Sequence, residues 1–83
     1  DVALGEENGI DLIRRLRNGD ESVRILVWSM YPESLYAERA LRAGANGYVT
    51  KEHATSKIVE AIRRVRDGKV YLSDEMADRM LQR

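Results

Sequence analysis

The run "VRILVWS", residues 23 to 29, sets Ile25, Leu26, Val27 and Trp28 side by side with no polar interruption. A strand with one wet face alternates apolar and polar residues, whereas a strand covered on both faces need not. The run therefore fits a parallel sheet, and parallel neighbours need long crossover connections, usually helices. The flanking sequence supplies them. Before the run, Gly9, Leu12, Ile13 and Leu16 recur at helical spacing opposite an arginine-rich side, with Asn8 as N-cap and Asn18-Gly19 as a stop. After it, Pro32 stands where a first helical turn begins, Ala37, Ala40 and Leu41 line one side, and Gly44 suits a left-handed C-terminal residue. "GYV", residues 47 to 49, reads as a second short strand. Thr55 caps a third helix with Ile58, Ala61, Ile62 and Val65 on its inner face and Asp67-Gly68 at its end. Ser73 caps a last short helix carrying Met76, Met80 and Leu81, more an apolar packing stripe than a special device.

The order helix, strand, helix, strand, helix implies an α/β fold with parallel crossovers and helices on both faces of a sheet. A chain of 83 residues has room for one modest core, since a domain of that size buries only about 60 % of the surface its unfolded chain exposes. Two visible strands are few for three amphipathic helices. Either Asp1 to Leu4 is the stub of another strand or part of the fold is missing.

Charge narrows the function. Lysine and arginine total 14 and aspartate and glutamate total 14, so no net field draws the chain to nucleic acid or to an anionic membrane. Arg14-Arg15 and Arg63-Arg64 read as solvated helix faces. The absence of cysteine removes disulfides and thiolate metal sites. No run approaches the roughly 18 apolar residues of a membrane span, and nothing resembles a signal peptide; a soluble, cytoplasmic chain without a membrane partner is expected. His53, the only histidine, has no ligand-spaced partner. No base-oriented nucleophile, glycine-rich phosphate loop or pair of carboxylates spaced for acid and base work is visible, so the chain is not expected to be an enzyme.

The first residues carry a more specific signal. "DVALGEENG" opens on Asp1 and reaches a helix-starting Gly9; a hydroxyl residue ends the strand "LVWS"; and in "YVTK" an aromatic residue stands three positions before a lysine. This ordered set resembles a bacterial response-regulator receiver domain. "GIDLIRRLR", "SMYPESLYAERALRAGANGYVTKE" and "VEAIRRVRDGKVYLS" are similar to its NarL/LuxR branch. The resemblance runs over essentially the whole chain and implies the carboxyl-terminal portion of a flavodoxin-like, doubly wound parallel sheet of order 2-1-3-4-5.

Carried over residue by residue, it implies that Asp1 is the phosphoacceptor, attacking phosphorus on a histidine kinase or a small phosphodonor. Lys51 would give a phosphoryl group its ammonium, Ser29 its hydroxyl, and Tyr48 would be the switch aromatic that turns inward as the hydroxyl residue moves toward phosphate. Mg²⁺ would be held by Asp1 and the backbone carbonyl of Ala3. The chemistry suits the residue types: a carboxylate accepts a phosphoryl group covalently, and the dianion formed needs cations and donors aimed at its oxygens. A lysine ammonium on a flexible stem can follow it. The same residues have plainer readings, with Ser29 satisfying a turn backbone group and Tyr48 packing in the core.

Two positions depart from the family pattern. Gly5 replaces the usual proline four residues after the acceptor, which loosens that loop. Glu52 replaces the usual proline after Lys51, which puts the family's cis peptide there in doubt. The family's first strand, with its acidic Mg²⁺ ligands, is not in this sequence. The expectation is a partial receiver over residues 1–70, possessing an open sheet edge that favours a rearranged or domain-swapped oligomer. Residues 71–83 are expected to form a linker helix toward an absent DNA-binding output domain. The helix from Thr55 to Arg66 is the implied dimerisation surface. The rival expectation is a receiver-like interaction module without phosphotransfer.

Overall fold

The structure is a computed structural model that describes residues 6–51 and 54–82. Two strands, β1 (Leu26–Ser29) and β2 (Gly47–Thr50), pair in parallel, with Leu26 opposite Gly47 and Ser29 opposite Thr50. Among the described residues four helices pack around them: α1 (Glu6–Gly19), α2 (Glu33–Ala43), α3 (Ala54–Arg66) and α4 (Asp74–Leu81). The α/β order and the parallel sheet stand as expected. The apolar run is strand only in its second half, because the side chain of Asn46 takes over the pairing upstream. Its Oδ1 accepts the Ile25 N–H at 2.9 Å while its own N–H donates to the Ile25 carbonyl at 2.7 Å.

Strand alternation sorts the core into two faces. Val27, Ile25 and Tyr48 join Ile10 and Ile13 of α1, Tyr36, Ala37 and Ala40 of α2, and Met76 of α4. Val49 joins Ala61 and Val65 of α3 and Tyr71, with Leu26, Trp28 and Ile58 half-buried beside them. Tyr71 extends the sheet by one bridge: its N–H donates to the Asn46 carbonyl at 2.9 Å and its carbonyl accepts the Tyr48 N–H at 3.0 Å. The segment expected as linker thus begins with a residue bound to the free side of β2. Gly47 makes this crowding feasible, since a Cβ there would lie 3.0 Å from Leu26 and Val65 and 3.1 Å from the Tyr71 side chain.

Helix boundaries follow local chemistry. Gly44, at φ 124°, closes α2 with its N–H on the Leu41 carbonyl, and the Ala45 N–H reaches back to Ala40. Ser73 caps α4 by accepting the Met76 N–H. Pro32 precedes α2 as its cap residue, not inside its first turn. Asn8 and Thr55 differ from expectation, because α1 is under way at Glu6 and α3 at Ala54, so both fall inside first turns. The apolar stripes are also wider than their cover: Leu16 is 40 % exposed, Ile62 52 % and Leu81 83 %. Among the described residues the sheet reaches only part of each stripe, and on α1 the core takes Ile10 and Ile13 while Leu16 stays half-open.

One arginine organises the end of the sheet where the strands begin. Arg17 Nη2 donates to the Gly44 carbonyl at 2.8 Å and to Asn46 Oδ1 at 2.9 Å, while Nη1 reaches the Glu21 carbonyl at 2.8 Å. Its planar fork ties the loop before β1 to the loop before β2. The strands' opposite, carboxyl ends are left for a site.

Candidate functional site

In an open parallel sheet the carboxyl strand ends are where ligand sites form, because loops and helix starts gather there. Ser29 closes β1 and Lys51 follows β2, and the two are joined by a ladder bond in which the Lys51 N–H donates to the Ser29 carbonyl at 2.8 Å. The parallel register therefore sets a hydroxyl and an ammonium-bearing residue at adjacent tips.

Their side chains part company. Ser29 is buried, and its Oγ accepts the Tyr31 N–H at 3.0 Å, a turn closed by the side chain two residues back. Tyr48, 1 % exposed, points into the same face, where its hydroxyl donates to the Tyr31 carbonyl at 2.7 Å. Its ring packs 6.1 Å from that of Tyr36, which in turn lies 5.4 Å from Tyr31. Burial pushes the Tyr48 phenol above its ordinary value, and the Ser29 hydroxyl beside it pulls weakly the other way. The phenol is thus kept protonated and able to donate. Tyr48 stands inward here while Ser29 is engaged in the turn, and the inward phenol is held by the backbone of Tyr31.

Lys51 is exposed, and its Nζ lies 5.4 Å from the centroid of the Trp28 ring. Trp28 belongs to the α3 face, opposite the side into which Ser29 and Tyr48 turn. Three residues that sequence reasoning passed over therefore shape the site: Trp28, Tyr31 and Glu33. Glu33, in the first turn of α2, accepts the Ser73 N–H at 2.9 Å and the Ser73 hydroxyl at 2.5 Å. The loop carrying Tyr31 is by this means tied to the cap of α4. Only the Tyr-Pro pair, which marks an extended residue before a helix start, hinted at the role of Tyr31.

Asp1, Ala3, Gly5, Glu52 and His53 lie outside the described residues, as does the expected strand stub at 1–4. No group of three or more His, Cys, Asp or Glu side chains among the described residues is arranged to hold a metal ion. Likewise, no helix among them is long and apolar enough to cross a membrane.

The sequence matches the response regulator receiver domain family over residues 1–63. The chain belongs to that family. This receiver is 36 % identical over 75 residues to the "Fimbriae Z protein" of Salmonella typhimurium (strain LT2), a match covering 90 % of this chain and 36 % of that protein. It is 32 % identical over 81 residues to the "Transcriptional regulatory protein MctR" of Rhizobium johnstonii, covering 98 % of this chain and 38 % of that one. The chain thus spans a little over a third of the length of these relatives. Among solved structures, a two-component response regulator of the LuxR family from Aurantimonas sp. SI85-9A1 superposes with a TM-score of 0.76. That match has 34 % identity and covers 88 % of this chain and 52 % of that one. The receiver accordingly falls in the NarL/LuxR branch of two-component systems, and its fold is the flavodoxin-like one.

Proposed function

We propose that this receiver accepts a phosphoryl group on Asp1 and reports it through Ser29, Tyr48 and the loop leading into α2. The observation that carries the reading is the parallel register, which sets Ser29 and Lys51 at neighbouring strand tips joined by a 2.8 Å backbone bond, in a chain that matches the receiver family over residues 1–63. In the reaction, a carboxylate oxygen of Asp1 forms the new O–P bond. The P–N bond to a kinase histidine breaks, and the imidazole nitrogen leaves with the electron pair. Ser29 Oγ–H and the Lys51 ammonium are the groups that hold the product oxygens. Asp1 and the carbonyl of Ala3 would help to hold Mg²⁺, which when bound would supply positive charge to the phosphoryl oxygens.

Accepting its own phosphoryl group makes the chain a signalling component and not a turnover enzyme. Its partners in this reading are a histidine kinase in the cytoplasm, a second copy of the receiver through α3, and DNA through an output domain elsewhere in the protein. The switch is an equilibrium between two arrangements. In one, Ser29 Oγ accepts from Tyr31 N–H, as seen here. In the other, it donates to the phosphoryl group and frees the Tyr31 backbone to move.

A second reading, association without phosphotransfer, draws support from Val59 and Ile62 of α3, 57 % and 52 % exposed. Acetyl phosphate with Mg²⁺, applied to the protein as encoded, separates the two. A mass gain of one phosphoryl group, abolished by Asp1→Asn, supports the signalling reading. No gain at any concentration overturns it in favour of association.

A further inference from the structure

Trp28 is the only tryptophan, and packing alone explains it poorly. Its Nε1 is buried without a hydrogen-bond partner among the described residues, a deficit that phenylalanine or leucine in the same place would not have. A tryptophan does offer the strongest aromatic face for a cation. One cation is there: the Lys51 Nζ, 5.4 Å from the ring centroid and within the range of such contacts.

Strand alternation explains the meeting. Trp28 and Val49 pair across the ladder on the α3 face, and Ser29 turns into the α2 face with Tyr48. Lys51, two residues after Val49, continues on the Trp28 side. The two groups required to share one phosphoryl group therefore rest on opposite sides of the sheet's tip. For both to reach it, the ammonium must come round from the indole.

We propose that Trp28 is a positioning residue: its ring holds the Lys51 ammonium in the resting receiver and gives it up when a phosphoryl group forms. The inference rests on the phosphoacceptor reading above. Because the ring attracts the ammonium only in the resting arrangement, it competes with the anion and sets a threshold on occupancy. An exposed cation–π contact corresponds to about a two- to fivefold effect.

The test uses the encoded protein labelled with 5-fluorotryptophan, the Trp28 resonance being identified by its loss in Trp28→Phe. Lys51→Met is expected to shift that resonance at rest, with no anion present. Beryllofluoride with Mg²⁺, a phosphoryl mimic, shifts it in the same direction in the unsubstituted protein and not in Lys51→Met. Trp28→Leu tightens beryllofluoride binding about two- to fivefold, with Trp28→Phe in between. A purely structural tryptophan leaves its resonance blind to Lys51, and that result overturns the proposal; so does a Trp28→Phe receiver of unchanged melting temperature that binds beryllofluoride no tighter. Failure of the phosphoacceptor reading shows separately, as no phosphoryl uptake from acetyl phosphate, while the resting Lys51→Met shift still decides the role of the ring.

Discussion

Ser29 and Tyr48 turn into one side of a two-stranded ladder and Trp28 and Val49 into the other, and the two sides are closed to very different degrees. On the α2 side, three tyrosines pack together, and the Tyr48 hydroxyl, the Ser29 hydroxyl and the Tyr31 backbone satisfy one another. On the α3 side, Leu26, Trp28, Ile58, Ile62 and Val65 line an open groove of about 510 Å³. The contrast teaches where a signal can move the molecule cheaply. Displacing a group on the closed side breaks hydrogen bonds and opens a cavity, so motion there is all or nothing. Moving the exposed ammonium of Lys51 on the other side opens no cavity.

The largest effect that would break this comparison is on Tyr48. Tyr48→Ala removes a side chain that is 1 % exposed and is expected to cost about 3–5 kcal/mol in urea unfolding. Trp28→Ala, on the half-covered side, is expected to cost clearly less despite the larger ring. Equal losses would show that the α3 face is as tightly closed in solution as the α2 face. Tyr48→Phe isolates the polar part: it leaves the Tyr31 carbonyl without its donor, for about 1–3 kcal/mol.

This asymmetry is also the boundary of what the sequence discloses. The element order was legible because each helix carries its own period and punctuation, and Ser73 and Gly44 cap where their chemistry says they should. The neighbouring positions of Ser29 and Lys51 were legible for the same reason, since hydrophobic runs fix the register. Tyr31 was not, because it acts through its backbone N–H and carbonyl, which every residue has. Periodicity likewise gives the direction of an apolar stripe and not the width of what covers it, so Leu16 and Ile62 looked interior and are half open. The role of Tyr71 was hidden in a single bridge, too short to leave an alternating pattern.

Beneath the groove the α3 face is tightly packed, and Gly47 marks the spot. A methyl there meets Leu26 and Val65 at 3.0 Å and Tyr71 at 3.1 Å, so Gly47→Ala is expected to cost about 1–3 kcal/mol from overpacking. Thermal unfolding of that variant tests how tightly the floor of the groove is packed where Gly47, Leu26 and Val65 meet. An unchanged midpoint would mean that Tyr71 yields, and that its bridge to β2 is weaker than the two hydrogen bonds imply.

Alkaline titration probes both faces at once, since each has a buried tyrosine. Burial raises the phenol of Tyr48 above 10.0, and burial followed by the nearby Glu60 and Glu33 carboxylates raises that of Tyr71. A raised value means that the unfolded chain gives up these protons first. The stability they contribute is therefore complete below pH 10 and is lost as pH climbs through the folded values. Stability measured from pH 9 upward should fall, and the fall should be shallower in Tyr48→Phe and in Tyr71→Phe. A flat profile would show that the phenols ionise as freely in the fold as out of it.

The smallest expected effect is the most discriminating for the open side. Ile62 is 52 % exposed on a groove wall, and a surface position free of special contacts changes stability by no more than about 0.5 kcal/mol on substitution. Ile62→Asn should accordingly leave the unfolding midpoint nearly where it was at low protein concentration. If the groove is covered in solution by a second copy, the midpoint becomes concentration-dependent in the unsubstituted chain and drops in Ile62→Asn only at high concentration, because association stabilises by mass action. A loss independent of concentration would mean that the groove closes within one chain, and the looseness inferred around Trp28 and Lys51 would fall with it.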